Sequence, residues 1–177
     1  MITARHARWA ERLFTPYVRR LVRRHFSHYY LVNSMPTIDP AASLLVTPNH
    51  ISWWDGFLAY VFFRPRLPGR RLHLMMLERE LCRYSFFSRL GAFSIDPGEW
   101  SHVMETAAYV QGLLSSPANY VLFYPQGRIE AHTAFPPVLQ KGLPLFLPPH
   151  PTAQVLIVCF AISFYNEKYP EIFLRFG

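Results

Sequence analysis

Only two cysteines, Cys82 and Cys159, occur in 177 residues, and they form neither a Cys-x-x-Cys zinc pair nor a disulfide framework of the kind that staples small secreted domains. The expectation is two reduced, buried thiols. The eight histidines are scattered without a His-x-x-x-His pair, so no metal site is expected. Long apolar runs are also missing: none approaches the roughly 18 residues that a membrane-spanning helix needs. The longest, Val155 to Tyr165, reads as a buried strand. The N-terminus lacks an apolar core followed by small cleavage-site residues, which argues against a secretory signal. Acids are few, 11 against 18 Lys and Arg, for a net charge of +7.

What is abundant is apolar and aromatic surface. Hydrophobic residues make up 51% of the chain and aromatics 16%, which excludes a disordered polypeptide and is rich for a protein wholly surrounded by water. Some of this surface is expected to face lipid. At 20.7 kDa the chain fits one domain with a real core.

The basic charge is concentrated at the front. Residues 1–30 hold Arg5, Arg8, Arg12, Arg19, Arg20, Arg23 and Arg24 against a single acid, Glu11, a net of +6 out of +7 for the whole chain. Leu13, Tyr17 and Leu21, with Trp9 and Val18 further round, recur at helical spacing, so this segment reads as a basic amphipathic helix. Three roles compete for it: packing on the domain, a nucleic-acid arm, or docking on an anionic membrane. No recognition motif accompanies it, so no nucleic-acid partner is expected. Membrane docking is the preferred role.

After a turn-rich connector (Leu31 to Ala42), the chain alternates between strand and helix patterns. Strands are expected at Ser43–Thr47, Leu72–Leu77, Phe93–Asp96, Asn119–Tyr124 and Val155–Phe164, with a strand-like end at Glu171–Gly177. Helices are expected at Asp55–Phe63, Glu78–Leu90 and Glu99–Ser116. This order predicts an α/β fold over residues 43–177, with a mainly parallel or mixed central sheet flanked by helices, preceded by the helix of residues 1–30.

Candidate chemistry lies where the first of these strands meets a helix, at Asn49-His50-Ile51-Ser52-Trp53-Trp54-Asp55. An imidazole and a carboxylate stand five residues apart, and Ser52 with Asp55 also reads as a capping box. Spacing alone decides nothing, because His6 with Glu11 and His73 with Glu78 share it. The whole string, however, resembles the Asn-His-x-Ser-x-x-Asp signature of the glycerolipid acyltransferases, typified by the 1-acylglycerol-3-phosphate O-acyltransferases. That resemblance implies a His-Asp dyad moving a fatty acyl group from acyl-CoA or acyl carrier protein to a lipid hydroxyl. His50 would be the general base, Asp55 its orienting partner, and Asn49 and Ser52 would shape the turn. No cofactor beyond the acyl co-substrate is implied.

Further blocks resemble the family less closely. Gly91-Ala92-Phe93-Ser94-Ile95-Asp96-Pro97 is similar to Gly-x-x-Phe-Ile-x-Arg, with Pro97 in place of an acceptor-binding Arg. Pro125-Gln126-Gly127-Arg128 resembles Pro-Glu-Gly-Thr-Arg, with Gln126 for Glu and Arg128 one position early, or Ile129 at the Arg position if no residue is missing. Lys141-Gly142 matches a following Lys-Gly. By this match Gly91, Gln126, Gly127, Arg128 and Lys141 are candidate substrate contacts, alongside Asn49 and Ser52. The expected partners are an anionic membrane, a lipid acceptor and the acyl donor, with the protein peripheral on the cytoplasmic face. Two alternatives stay open: an inactive membrane-binding scaffold that keeps the fold, and a thioester hydrolase in which water replaces the lipid alcohol.

Overall fold

The computed structural model describes residues 1–131, 133–134, 136–147 and 153–177. The basic front segment is helical over Arg8–His25 (α1) and leads into a short strand, Tyr29–Leu31 (β1). There follow β2 (Ser43–Pro48), α2 (Asp55–Phe63), β3 (Arg71–Leu77), α3 (Glu78–Arg83), β4 (Ala92–Ile95), α4 (Trp100–Leu113), β5 (Asn119–Leu122), β6 (Ala153–Ser163) and β7 (Glu171–Phe176). The helix expected over Glu78–Leu90 is split, its second half being a 3-10 turn at Ser85–Arg89.

Among the described residues the strands form one seven-stranded sheet in the order β1-β7-β6-β2-β5-β3-β4. All neighbours are parallel except β6 and β7. The sheet is therefore mixed and mainly parallel, as the strand and helix order implied. Central strands are buried on both faces, which explains why β2 reads as a continuous apolar run. Leu44 and Val46 join the cluster beneath α1 and α2, whereas Leu45 joins the opposite cluster beneath α4. Tyr120 and Leu122 against Val121 repeat that alternation on β5. Because β2, β5 and β6 are parallel, their C-terminal ends meet at one edge of the sheet, where open α/β folds place ligands.

α1 packs on the domain through Ala10, Phe14, Val18 and Val22, an i, i+4 row, so the packing face is not the stripe marked by Leu13 and Tyr17. Trp9, Leu13 and Tyr17 remain 50%, 65% and 60% exposed and form a second apolar row beside it. α1 thus carries two apolar rows and an arginine-rich remainder. No described helix is long and apolar enough to cross a membrane.

Two expectations fail. β6 is not a buried strand: Leu156, Val158 and Phe160 face the core while Val155, Ile157 and Cys159 are exposed, because α4 covers only the β2-β5-β3-β4 part of that sheet face. Cys159 is accordingly exposed. Cys82, on the outer side of the short α3, is exposed as well, so neither thiol is buried.

Candidate active site

β2 ends at Pro48, and the next seven residues turn the chain into α2. His50 Nδ1 lies 2.8 Å from Asp55 Oδ2. The same oxygen accepts the backbone N–H groups of Ile51 (2.6 Å) and Ser52 (2.9 Å), while Asp55 Oδ1 accepts the Ser52 hydroxyl at 2.6 Å. Asp55 is wholly buried. A carboxylate so placed is an obligate acceptor, so His50 Nδ1 is the donor and the proton sits on that nitrogen. Nε2 is then left with its lone pair. No described residue bonds to it, and the side chain is 23% exposed.

The capping box is present in half. Ser52 N–H bonds to the Asp55 carboxylate as the motif requires, but the Ser52 hydroxyl is accepted by Asp55 while itself accepting Trp54 N–H at 3.1 Å. The Asp55 carboxylate thus serves the helix start and His50 at once, and what the box lacks is the bond from the Asp55 N–H to the Ser52 hydroxyl.

Two neighbouring strands hold the loop. Asn49 bonds in both directions with Phe160 of β6, donating to its carbonyl at 2.9 Å and accepting its N–H at 2.6 Å. Beyond β5, Gln126 accepts His50 N–H at 2.5 Å and donates to Glu130 at 2.8 Å, and Glu130 N–H returns to the His50 carbonyl at 2.9 Å. The Tyr124 ring stacks on the imidazole at 4.1 Å and 17°. Its hydroxyl is buried without a partner among the described residues, and burial first, then the Asp55 charge, pushes its titration well above the usual range.

A family model described as Acyltransferase matches residues 29–144, about two thirds of the chain and the whole of this loop. The chain belongs to the acyltransferase family. The resemblance carried by Asn49–Asp55 is borne out at that level. No curated protein matches the chain. Among solved structures, the fold is similar to the crystal structure of the 1-acyl-sn-glycerophosphate (LPA) acyltransferase PlsC from Thermotoga maritima, with a TM-score of 0.55 and 12% identity. The alignment covers 94% of this chain but 66% of that one.

The other blocks of the family resemblance fall in different places. Gln126, Gly127 and Arg128 form the turn after β5, beside the dyad. Gly127 has φ +68, the left-handed conformation that favours glycine, and it lets the Gln140 side chain approach. Gln126 is 3% exposed and both ends of its amide are used internally, which makes it a clamp on the loop. Arg128 is open to solvent but its guanidinium is bound to Glu130 at 2.8 Å, and those bonds, after the one from Gln126, hold the Glu130 carboxyl below its usual range. Lys141 is exposed and makes no hydrogen bond or ion pair among the described residues. Its neighbour Gln140 donates to the Gln126 carbonyl at 3.1 Å. Gly91 is elsewhere. With φ +101 it adjoins Leu72 and His6 at the N-terminal ends of β3 and β4, where a Cβ would meet the Leu72 carbonyl oxygen. Tyr124 and Glu130 were not read from the sequence. Tyr124 immediately precedes Pro125, and Glu130 lies four residues beyond Gln126, from which it accepts a hydrogen bond.

Proposed function

We propose that the chain is an O-acyltransferase working at an anionic membrane surface, moving a fatty acyl group from acyl-CoA or acyl carrier protein to the hydroxyl of a lipid. The observation that carries this reading is an imidazole, partly open to solvent, whose Nε2 has no partner among the described residues and whose other nitrogen is fixed by a buried carboxylate. In the proposed step Nε2 takes the hydroxyl proton as the lipid oxygen bonds to the thioester carbonyl carbon. The tetrahedral intermediate collapses by breaking the carbon–sulfur bond, and the departing thiolate takes the proton back from Nε2. A positioned base of this kind contributes roughly 10²–10⁴ in rate. The transient imidazolium is supported by Asp55 and by the face of the Tyr124 ring, which attracts a cation. Ser52 donates to Asp55 and lies outside a Gly-x-Ser-x-Gly elbow, so the reading needs no acyl-serine.

The exposed Trp9, Leu13 and Tyr17 row, flanked by Arg12, Arg19, Arg20, Arg23 and Arg24, is the proposed docking surface on the cytoplasmic face of the bilayer. Trp53, 63% exposed in the dyad loop, and Phe86, in ring contact with Trp9, extend this apolar surface toward the base. The acceptor is proposed to lack a phosphomonoester. Pro97 and Ile129 carry no charge, and the charge of Arg128 is met by Glu130, which leaves Lys141 alone among the family-matched positions to face nearly two negative charges.

Incubation with radiolabelled acyl-CoA and a crude lipid extract tests the reading. Labelled lipid is the expected product; labelled free fatty acid would make the protein a hydrolase, and unreacted thioester, with acyl carrier protein as well, would make it a scaffold. A clear preference for lysophosphatidic acid over other acceptors in one pot would overturn the acceptor proposal.

A further inference from the structure

At the opposite end of the sheet from the dyad, a cavity of about 480 Å³ opens between the start of α1, the end of α2 and the first residues of β3 and β5. Tyr120 lines it, four residues before the Tyr124 that stacks on His50, a separation of about 13 Å along an extended chain. It is a different site from the one that holds the dyad.

Its charge is one-sided. Arg8, Arg64, Arg70 and Arg71 line the cavity against a single acid, Glu11. Arg64 is paired with Glu11 at 2.9 Å. Arg70 reaches only the carbonyl oxygens of Ala42 (2.6 Å) and Asp39 (2.8 Å), which orient its guanidinium without neutralising it. Arg8 and Arg71 form no ion pair among the described residues. Three guanidinium charges around one cavity thus lack a counter-charge among the described residues.

A second, independent feature points inward. Tyr120 lines the cavity, and its hydroxyl makes no hydrogen bond among the described residues, so a donor and acceptor stands open to whatever enters. The rest of the wall includes Leu67, Leu72 and Leu90 together with His6, whose Nε2 is buried without a partner among the described residues, a costly state unless something meets it. Volume and lining match a small-molecule site rather than a bare ion site.

We infer that this cavity binds an organic phosphate, its phosphoryl oxygens held by Arg8, Arg70 and Arg71 and its organic portion set against Tyr120 and the leucines. Guanidinium forks grip phosphate bidentately, which suits arginine in place of lysine. Such a ligand bridges α1, α2 and the sheet, and so ties down the helix that carries the proposed docking row. The inference does not depend on the acyltransfer reading.

Calorimetric titration of the full chain with inorganic phosphate and glycerol 3-phosphate, against chloride of equal ionic strength, tests it. Short-chain phosphatidic acid forms a third arm. Saturable one-to-one binding is expected, weakened about 10- to 100-fold in the R8Q/R71Q double variant, whose altered side chains are exposed and unpaired, and less in Tyr120→Phe. His50→Ala and Arg128→Gln should titrate as the parent does. Binding of glycerol 3-phosphate alone names a soluble ligand; phosphatidic acid binding through the same arginines names a lipid headgroup; both uphold the site. No saturable binding beyond the chloride control, undiminished binding in R8Q/R71Q, or loss of binding in Arg128→Gln would overturn it.

Discussion

His50 with Asp55 and His6 with Glu11 share a spacing of five residues, yet they end in different states. In the first pair the nitrogen and oxygen are 2.8 Å apart and the acid is wholly buried; in the second they are 3.7 Å apart and Glu11 is partly exposed and shared with Arg64. The difference comes from what surrounds the acid. Asp55 sits at a strand-to-helix turn where two backbone N–H groups and a hydroxyl converge on it, so its charge and position are both set. Glu11 lies in the first turn of a helix, yet no backbone N–H bonds to its carboxylate among the described residues, and it divides itself between a guanidinium and an imidazole. His6 in turn packs edge-on against His73 at 4.9 Å, with His6 Nε2 and His73 Nδ1 buried and unpartnered among the described residues.

The sharpest way to break this comparison is to remove each imidazole. His50→Ala should lower acyl transfer by roughly 10²–10⁴ without loss of fold, whereas His6→Ala should leave turnover near the parent value. A folded His50→Ala protein at full rate would end the dyad assignment. The next effect is on stability and belongs to the other pair. Burial, then the charge of His6, lowers the His73 titration from 6.5 to about 4, and burial lowers that of His6 too. Folded-state values below unfolded ones mean that the unfolded chain binds protons first. The stability is therefore fully present above pH 6.5 and is lost as pH falls toward 4, by about 3 kcal/mol for His73. Thermal melts between pH 7.5 and 4.5 should fall steeply, and less so in His73→Leu.

Replacing the acids gives a smaller contrast. Asp55→Asn should cost less than His50→Ala, about 10- to 150-fold in rate from loss of charge-assisted bonds, while Glu11→Gln should leave the rate unchanged. If Asp55→Asn chiefly lowers the melting temperature, the carboxylate serves the helix start rather than the imidazole. The smallest effect concerns α1, which carries Glu11 in its first turn and the Trp9, Leu13 and Tyr17 row along another face. Leu13→Glu should weaken sedimentation with anionic vesicles by about tenfold, and rising salt should weaken it in the parent. Salt-insensitive binding would assign the row to some other partner.

Much of this was legible in residue order. The central strands are buried on both faces and so appear as short apolar runs, and Pro and Gly punctuation marks where α2 ends. β1 was not legible, because Tyr29–Leu31 is three residues long and owes its existence to parallel pairing with β7, some 140 residues away. The exposed side of β6 was hidden for a related reason: nothing in an unbroken apolar run says how far α4 extends over the sheet. At the site, the local partners of His50 were legible and the distant ones were not. Asp55 and Ser52 lie within five residues, but Tyr124 and Glu130 reach the loop only through β2–β5 pairing. On α1 the exposed Trp9, Leu13 and Tyr17 row was legible, but the packing row beside it was not, because Ala10 and the valines mark a weaker stripe than the large aromatic residues.

The clamps on the dyad loop also bear on how the protein acquires its working form. His50 and Asp55 can meet as soon as one turn of chain forms, but Gln126 lies 76 residues beyond His50 and Phe160 lies 111 beyond Asn49. Closing such long loops is slow and comes late in folding. A chain released before β6 is in place holds both members of the dyad without the frame that aims them. Regain of turnover on refolding should therefore lag behind the return of helical signal, and trail instead the closure of the sheet's centre.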